Sequence, residues 1–179
     1  MPPGSLCRSW LLALLLISLA GCTTSSGYQA YPGSTRPESE IAVVIGQQYL
    51  RQDWLNRYVD AVRFSHVDGA AIEGSERYRR VELTPGTHDI TIYFYWDLGS
   101  QRGLAQALVQ YASSRQTLSR TLSLNVRAGE RYTVLAQPVF TEGERRDITT
   151  MAYVDFWVED EDGNDVVSRE QGRYISIPQ

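Results

Sequence analysis

The sequence predicts a mainly β domain, an antiparallel β-sandwich carrying one short inserted helix. Two observations lead there. From Ile41 onward apolar and polar residues alternate with a period of two, which sends successive side chains to opposite faces of a strand. Turn signals such as Asp68-Gly69, Pro85-Gly86 and Gly129 punctuate that alternation at short intervals.

Taken in order, Ile41-Ala42-Val43-Val44-Ile45 is a short apolar run of strand length. Gln47 to Val62 places Leu50, Trp54, Tyr58 and Val62 four apart, a helical spacing, while Tyr58 to Val67 reads equally as a strand leading into Val67-Asp68-Gly69. Val81 and Leu83 alternate with Glu82 and Thr84; after Pro85-Gly86, Ile90, Ile92, Phe94 and Trp96 alternate with Asp89, Thr91, Tyr93 and Tyr95, which predicts a hairpin. A second hairpin is expected from Leu122, Leu124 and Val126 through Ala128-Gly129-Glu130 to Tyr132, Val134 and Ala136. A third pairs Ala152, Val154, Phe156 and Val158 with Val166 to Ile177 across Glu161-Asp162-Gly163-Asn164. Between the first two, within the 99–117 insertion, Gly103 to Ser113 carries Leu104, Leu108 and Tyr111 on one helical face and is read as the short helix. Polar outer faces on successive hairpins indicate a sandwich.

The amino-terminal part divides at residues 21 and 40. The apolar run from Trp10 to Leu19 is about half of the roughly 20 residues a helix needs to cross the hydrocarbon. It ends in Leu19-Ala20-Gly21-Cys22, which resembles the lipobox of bacterial lipoprotein precursors. The resemblance implies cleavage before Cys22 and lipid attachment to its sulfur and new amine, so that residues 1–21 are a signal peptide. It implies an outer membrane location, anchored by lipid and facing the periplasm, because Thr23 replaces the aspartate that marks inner-membrane retention in enteric members of that family. Residues 22–40, rich in Ser, Thr, Gly and Pro with almost no aliphatic side chain, read as a flexible tether with a reach of about 20–25 Å. The domain proper is then 41–179.

Composition narrows the function classes. Removing residues 1–21 from the 179 leaves 158, enough for one domain. The loss of Arg8 takes the net charge from −4 to −5, an acidic balance that argues against nucleic-acid binding. With Cys7 in the signal peptide and Cys22 lipidated, the domain has no thiol, so zinc ribbons, redox motifs, cysteine nucleophiles and disulfide staples are excluded. Every one of the 17 basic side chains is arginine, which genomic base composition explains without phosphate recognition.

Val67-Asp68-Gly69 followed by Val81-Glu82-Leu83-Thr84-Pro85-Gly86-Thr87-His88 resembles the PEGA-type repeat, and Leu124 to Tyr132 is similar to a turn common in small envelope lipoproteins. The resemblance covers roughly Val62 to Ala136. It implies a prealbumin-like or immunoglobulin-like sandwich in an envelope protein and no enzymatic mechanism.

Candidate chemistry is sparse. His66 and His88 are the two histidines, aligned in sequence with Asp68 and Asp89, but no nucleophile motif accompanies them and no catalytic residue is assigned. His88 is expected to fix the Pro-Gly turn. Asp160, Asp162 and Asn164 match the first half of a calcium loop, with Glu170 as a distant acid, yet the full pattern is not met and a solvated turn is expected. Tyr93, Tyr95, Tyr153 and Trp157 alternate with the core positions and form a candidate binding surface for glycans or proteins, unless the inserted helix covers them. The expected protein is a noncatalytic lipoprotein without a cofactor beyond the covalent lipid, acting on envelope proteins or peptidoglycan; the alternative is a glycan- or calcium-binding periplasmic module.

Overall fold

The computed structural model describes residues 27–52, 57–97, 119–140 and 151–175. Within them the chain is mainly β, with two sheets packed face to face. Strands β1 (Tyr28–Gln29), β6 (Arg80–Leu83), β2 (Ala42–Gly46), β9 (Arg131–Phe140), β10 (Met151–Glu159) and β11 (Asp165–Val167) make the first sheet in that order, and β12 (Tyr174–Ile175) also pairs with β10. Strands β3 (Gln48–Gln52), β4 (Arg57–Val67), β7 (Gly86–Asp97) and β8 (Ser119–Val126) make the second, with β5 (Ala70–Ala71) on β4. Most neighbours are antiparallel; β1 with β6 and β2 with β9 are parallel.

One core fills the space between the sheets, and it consists of the alternating residues. Val81 and Leu83, Ile90, Ile92 and Phe94, Leu122, Leu124 and Val126, Tyr132, Val134 and Ala136, and Val154, Phe156 and Val158 all belong to it, joined by Val62 and Phe64. Burying a large apolar side chain stabilises by about 1.5–3 kcal/mol, so this two-faced segregation fixes which side of each strand turns inward.

The partners of those strands differ from the expected hairpins. β6 and β7 lie in different sheets, as do β8 and β9, so Pro85-Gly86 and Ala128-Gly129-Glu130 are corners that carry the chain across the sandwich. The local chemistry explains the first. A two-residue hairpin loop at Thr84-Pro85 needs positive φ at both central residues or at the first; proline, locked near −65°, excludes the former and the β-branched Thr84 disfavours the latter, and the positive φ falls instead on Gly86, at +135°. The second corner is closed by Tyr132, whose hydroxyl accepts from Arg127 N–H at 3.2 Å and donates to Glu130 at 2.5 Å, the tyrosine-corner device of β-sandwiches. Only the third hairpin forms as expected, β10 pairing with β11 through Val158 and Val167. Its return arm is broken by a short helix α1 (Arg169–Gly172), where Ser168 and Gln171 make a reciprocal capping box.

Gln47 to Val62 contains no helix among its described residues: it forms β3 and the start of β4. The chain passes from the first sheet to the second at Gln47, whose N–H bonds to Val134 and whose carbonyl accepts from Val62. Gly46 is required at this switch, because a Cβ there would collide with the Val62 carbonyl. The helix expected at 103–113 lies outside the described residues.

The described part of the stretch read as a tether is packed on the domain. From Tyr28 the chain is a strand beside β6, and Tyr31, 6% exposed, packs with Ile41 and Val43 on the outer face of the first sheet. Glu38 then bonds Arg80 at 2.8 Å and Arg131 at 2.5 Å. Aromatic and ionic contacts offset the ordering entropy that composition alone leaves uncompensated.

Candidate functional site

Asp68, His88 and Thr84 form a bonded polar cluster that joins two turns. Asp68 sits in the left-handed region (φ 50°) at the β4 turn, a conformation that aspartate tolerates, and this aims its carboxylate at the start of β7. One oxygen lies 2.7 Å from His88 Nδ1 and the other accepts Asp89 N–H at 2.9 Å, while Asp68 N–H bonds back to the Asp89 carbonyl. His88 Nε2 lies 2.8 Å from the Thr84 carbonyl. Burial works against ionising Asp68, but the hydrogen bonds from His88 and Asp89 outweigh it and hold the carboxyl below its usual range. Both ring nitrogens of His88 are therefore engaged in tying the Asp68-Gly69 turn to the Pro85-Gly86 corner. The partner of His88 is Asp68, not the adjacent side chain of Asp89. His66 Nδ1 instead contacts Ser65 Oγ at 3.1 Å, and that hydroxyl donates to the Thr91 carbonyl, so Ser65 does not present its proton to the ring. Neither arrangement supplies an activated nucleophile with an oriented base.

The acidic turn is satisfied from within. Asp160 Oδ1 accepts the N–H groups of Asp162 at 3.0 Å and Asn164 at 2.8 Å, and both its oxygens receive the Asn164 side-chain amide. The Asn164 side chain and then its N–H hold the Asp160 carboxyl below the usual range. These oxygens are engaged in shaping the β10–β11 loop, with Gly163 at φ 80° completing it. Among the described residues no group of three or more His, Cys, Asp or Glu converges as a metal site would require.

The four aromatics do not form one strip. Tyr93 and Tyr95 lie on the outer face of the second sheet and Tyr153 and Trp157 on the outer face of the first, on opposite sides of the molecule. Tyr93 is 4% exposed, its hydroxyl 3.3 Å from Ser75, and Arg63 lies 5.7 Å from the centre of the half-buried Tyr95 ring. Burial pushes the Arg63 guanidinium below its ordinary range. Trp157 is 5% exposed: Arg169 stacks over it at 3.7 Å while its indole N–H donates to Glu159 at 2.7 Å. Arg173 lies 4.5 Å over Tyr153 and makes a two-pronged bond to Asp155 at 2.6 and 3.1 Å. Arginine is suited to this double duty, since its planar fork pairs with a carboxylate while its face stacks on a ring. Sequence reasoning missed both arginines; the readable signal was the Ser168-x-x-Gln171 capping box that brings their segment back over β10.

Cys22 lies outside the described residues. No family model, curated protein or solved structure matches the chain.

Proposed function

We propose that this chain is a bacterial outer-membrane lipoprotein anchored through lipid on Cys22, whose folded part is a noncatalytic interaction or accessory module facing the periplasm. The observation that carries the reading is Leu19-Ala20-Gly21-Cys22 at the end of an apolar run too short to span a bilayer. Each buried methylene is worth about 0.8 kcal/mol, so the two or three acyl chains of such an anchor make release negligible. The likeness of Val67 to His88 to the PEGA-type repeat supports an envelope role. The noncatalytic part of the reading is supported by the bonding of Asp68 and His88, which engages in a turn the side chains that acid–base chemistry would otherwise draw on. Envelope proteins or peptidoglycan are the partners in this reading.

Mass spectrometry of the mature amino-terminal peptide tests the anchor. The expected mass is that of a peptide beginning at Cys22 with a diacylglyceryl group and an amide-linked acyl chain, and Cys22→Ser should leave the protein unlipidated. An unmodified thiol in the wild-type protein overturns the reading. Crosslinking in intact cells, followed by identification of the captured proteins, then names the partner.

A further inference from the structure

β3 lies at an edge of the second sheet, with β4 on one side and, among the described residues, no strand on the other. Its backbone pattern follows from one bond. Val62 N–H donates to the Gln47 carbonyl at 2.8 Å, and Gln47 stands opposite Val62 in the register that places Gln48 opposite Ala61, so the two are a hydrogen-bonded pair of the antiparallel ladder. Such pairs recur at every second residue, which turns the N–H and C=O groups of Tyr49 and Arg51 toward β4 and those of Gln48, Leu50 and Gln52 toward the open side. Natural edges are blunted by proline, charge, bulges, shortness or a covering element. The other edges among the described residues follow that rule: β1 and β5 are two residues long, α1 interrupts the edge between β11 and β12, and Arg120 bridges β8 to α1 through the Gln171 carbonyl.

β3 has no proline and no bulge, and Arg51 is its single charge. Tyr49, on the face shared with Asp60, is 44% exposed, and Leu50, on the face shared with Val59, is 53% exposed, so both faces of the strand are open. The run Gln48-Tyr49-Leu50-Arg51-Gln52 is complementary to its own reverse. Laid antiparallel on a second copy with Leu50 opposite Leu50, it sets Gln48 opposite Gln52 and Tyr49 opposite Arg51. The outward N–H and C=O groups meet only when even-numbered residues face one another, and centring on Leu50 is the register of that kind that uses the whole strand, each hydrogen-bonded pair exchanging two bonds. It also keeps the two cations from facing each other, which would destabilise the pair, and sets each beside a tyrosine.

We propose that β3 is a self-association edge, at which two copies of this chain join antiparallel about Leu50 and continue the second sheet from one copy into the other. A five-residue edge is small against the roughly 1,000 Å² of a stable interface, so the contact is reversible and is read by trapping it. Residues facing each other in a hydrogen-bonded pair have Cα atoms about 5.5 Å apart, within disulfide range. Full-length protein carrying Leu50→Cys is oxidised mildly in intact cells, beside the wild type, which reports any bond made by Cys7 or Cys22, and beside Asp162→Cys, an exposed position in the β10–β11 loop. The expected result is a disulfide-linked dimer several-fold more abundant at 50 than at 162. Differently tagged Tyr49→Cys and Arg51→Cys chains, expressed together, should link to each other more than either links to itself. Adding Leu50→Pro to both should remove that bond and leave the melting temperature within a few degrees of the parent, since it deletes an outward N–H that β4 does not use. Dimer at 50 no greater than at 162, a mixed bond that survives Leu50→Pro, or capture of a different protein by Leu50→Cys in place of a second copy overturns the self-pairing. None of these readouts depends on lipid at Cys22.

Discussion

At the level of single residues, the Asp68–His88 tie shows how two turn signatures 20 residues apart become one structural unit. Asp68 gives both carboxylate oxygens to β7, and His88 spans from that carboxylate to the Thr84 carbonyl. Removing a side chain so bonded leaves partners unsatisfied, and Asp68→Ala is expected to cost about 1–2 kcal/mol in urea unfolding. His66→Ala, losing one contact to Ser65, should cost less. Glu38 carries a pH dependence: hydrogen bonds from Arg80 and then Arg131 hold its carboxyl below the ordinary range. A carboxyl whose pKa is depressed on folding adds stability that is fully present above its unfolded pKa and disappears as pH falls through the folded one. Stability should therefore decline below about pH 4.5, the ordinary carboxyl value, and Glu38→Gln should flatten that part of the curve. Because Glu38 is half exposed, the neutral-pH loss should stay within about 1 kcal/mol. The Asp160 turn was readable as a turn from its Asp, Gly and Asn content. Millimolar calcium should leave the melting temperature of the wild type and of Asp162→Ala unchanged, since the Asp160 oxygens already serve the loop.

At the level of elements, segments that looked least structured do much of the holding. Tyr31, Ile41 and Val43 form a separate small cluster on the outside of the first sheet, and Gln29 and Arg36 add bonds that close the 28–40 segment over it. Tyr31→Ala should cost about 2–4 kcal/mol and make residues 28–40 the first point of cleavage in limited proteolysis. A composition rich in Ser, Gly and Pro could not disclose this, because the cover depends on one tyrosine meeting a sheet face that is assembled from distant strands. β3 shows the converse. Leu50 and Val62 have helical spacing in sequence, yet Leu50 is half exposed and Val62 is core. The decisive feature is Gly46, which permits the backbone contact through which the chain changes sheets. Gly46→Ala should be among the most destabilising small substitutions, since the colliding atom is backbone and cannot rotate away.

At the scale of the whole molecule, strand connectivity sets which surfaces share an end and which share a face. Asp89 lies opposite Ser123 across β7 and β8, while Glu82 of β6 belongs to the other sheet. An Asp89→Cys, Ser123→Cys pair should therefore form a disulfide on mild oxidation, and an Asp89→Cys, Glu82→Cys pair should not. The sequence by itself determined that the domain is built mainly of strands and which face of the alternating strands is buried: alternation is a local property, and Leu122, Leu124, Val126, Val154, Phe156 and Val158 declare it without reference to any partner. It also held the turn at Asp160 and the role of His88 at the Pro-Gly corner. Only the tertiary structure decided that β6 and β8 hand the chain to the opposite sheet, that β1 runs parallel to β6 and β9 to β2, and that Arg169 and Arg173 cover Trp157 and Tyr153. Period-two patterning specifies an inward side but carries no information on which strand lies alongside. That choice is made by long-range burial shared over the whole core, and by a few contacts, at Gly46, Pro85 and Tyr132, whose meaning appears only when distant segments meet.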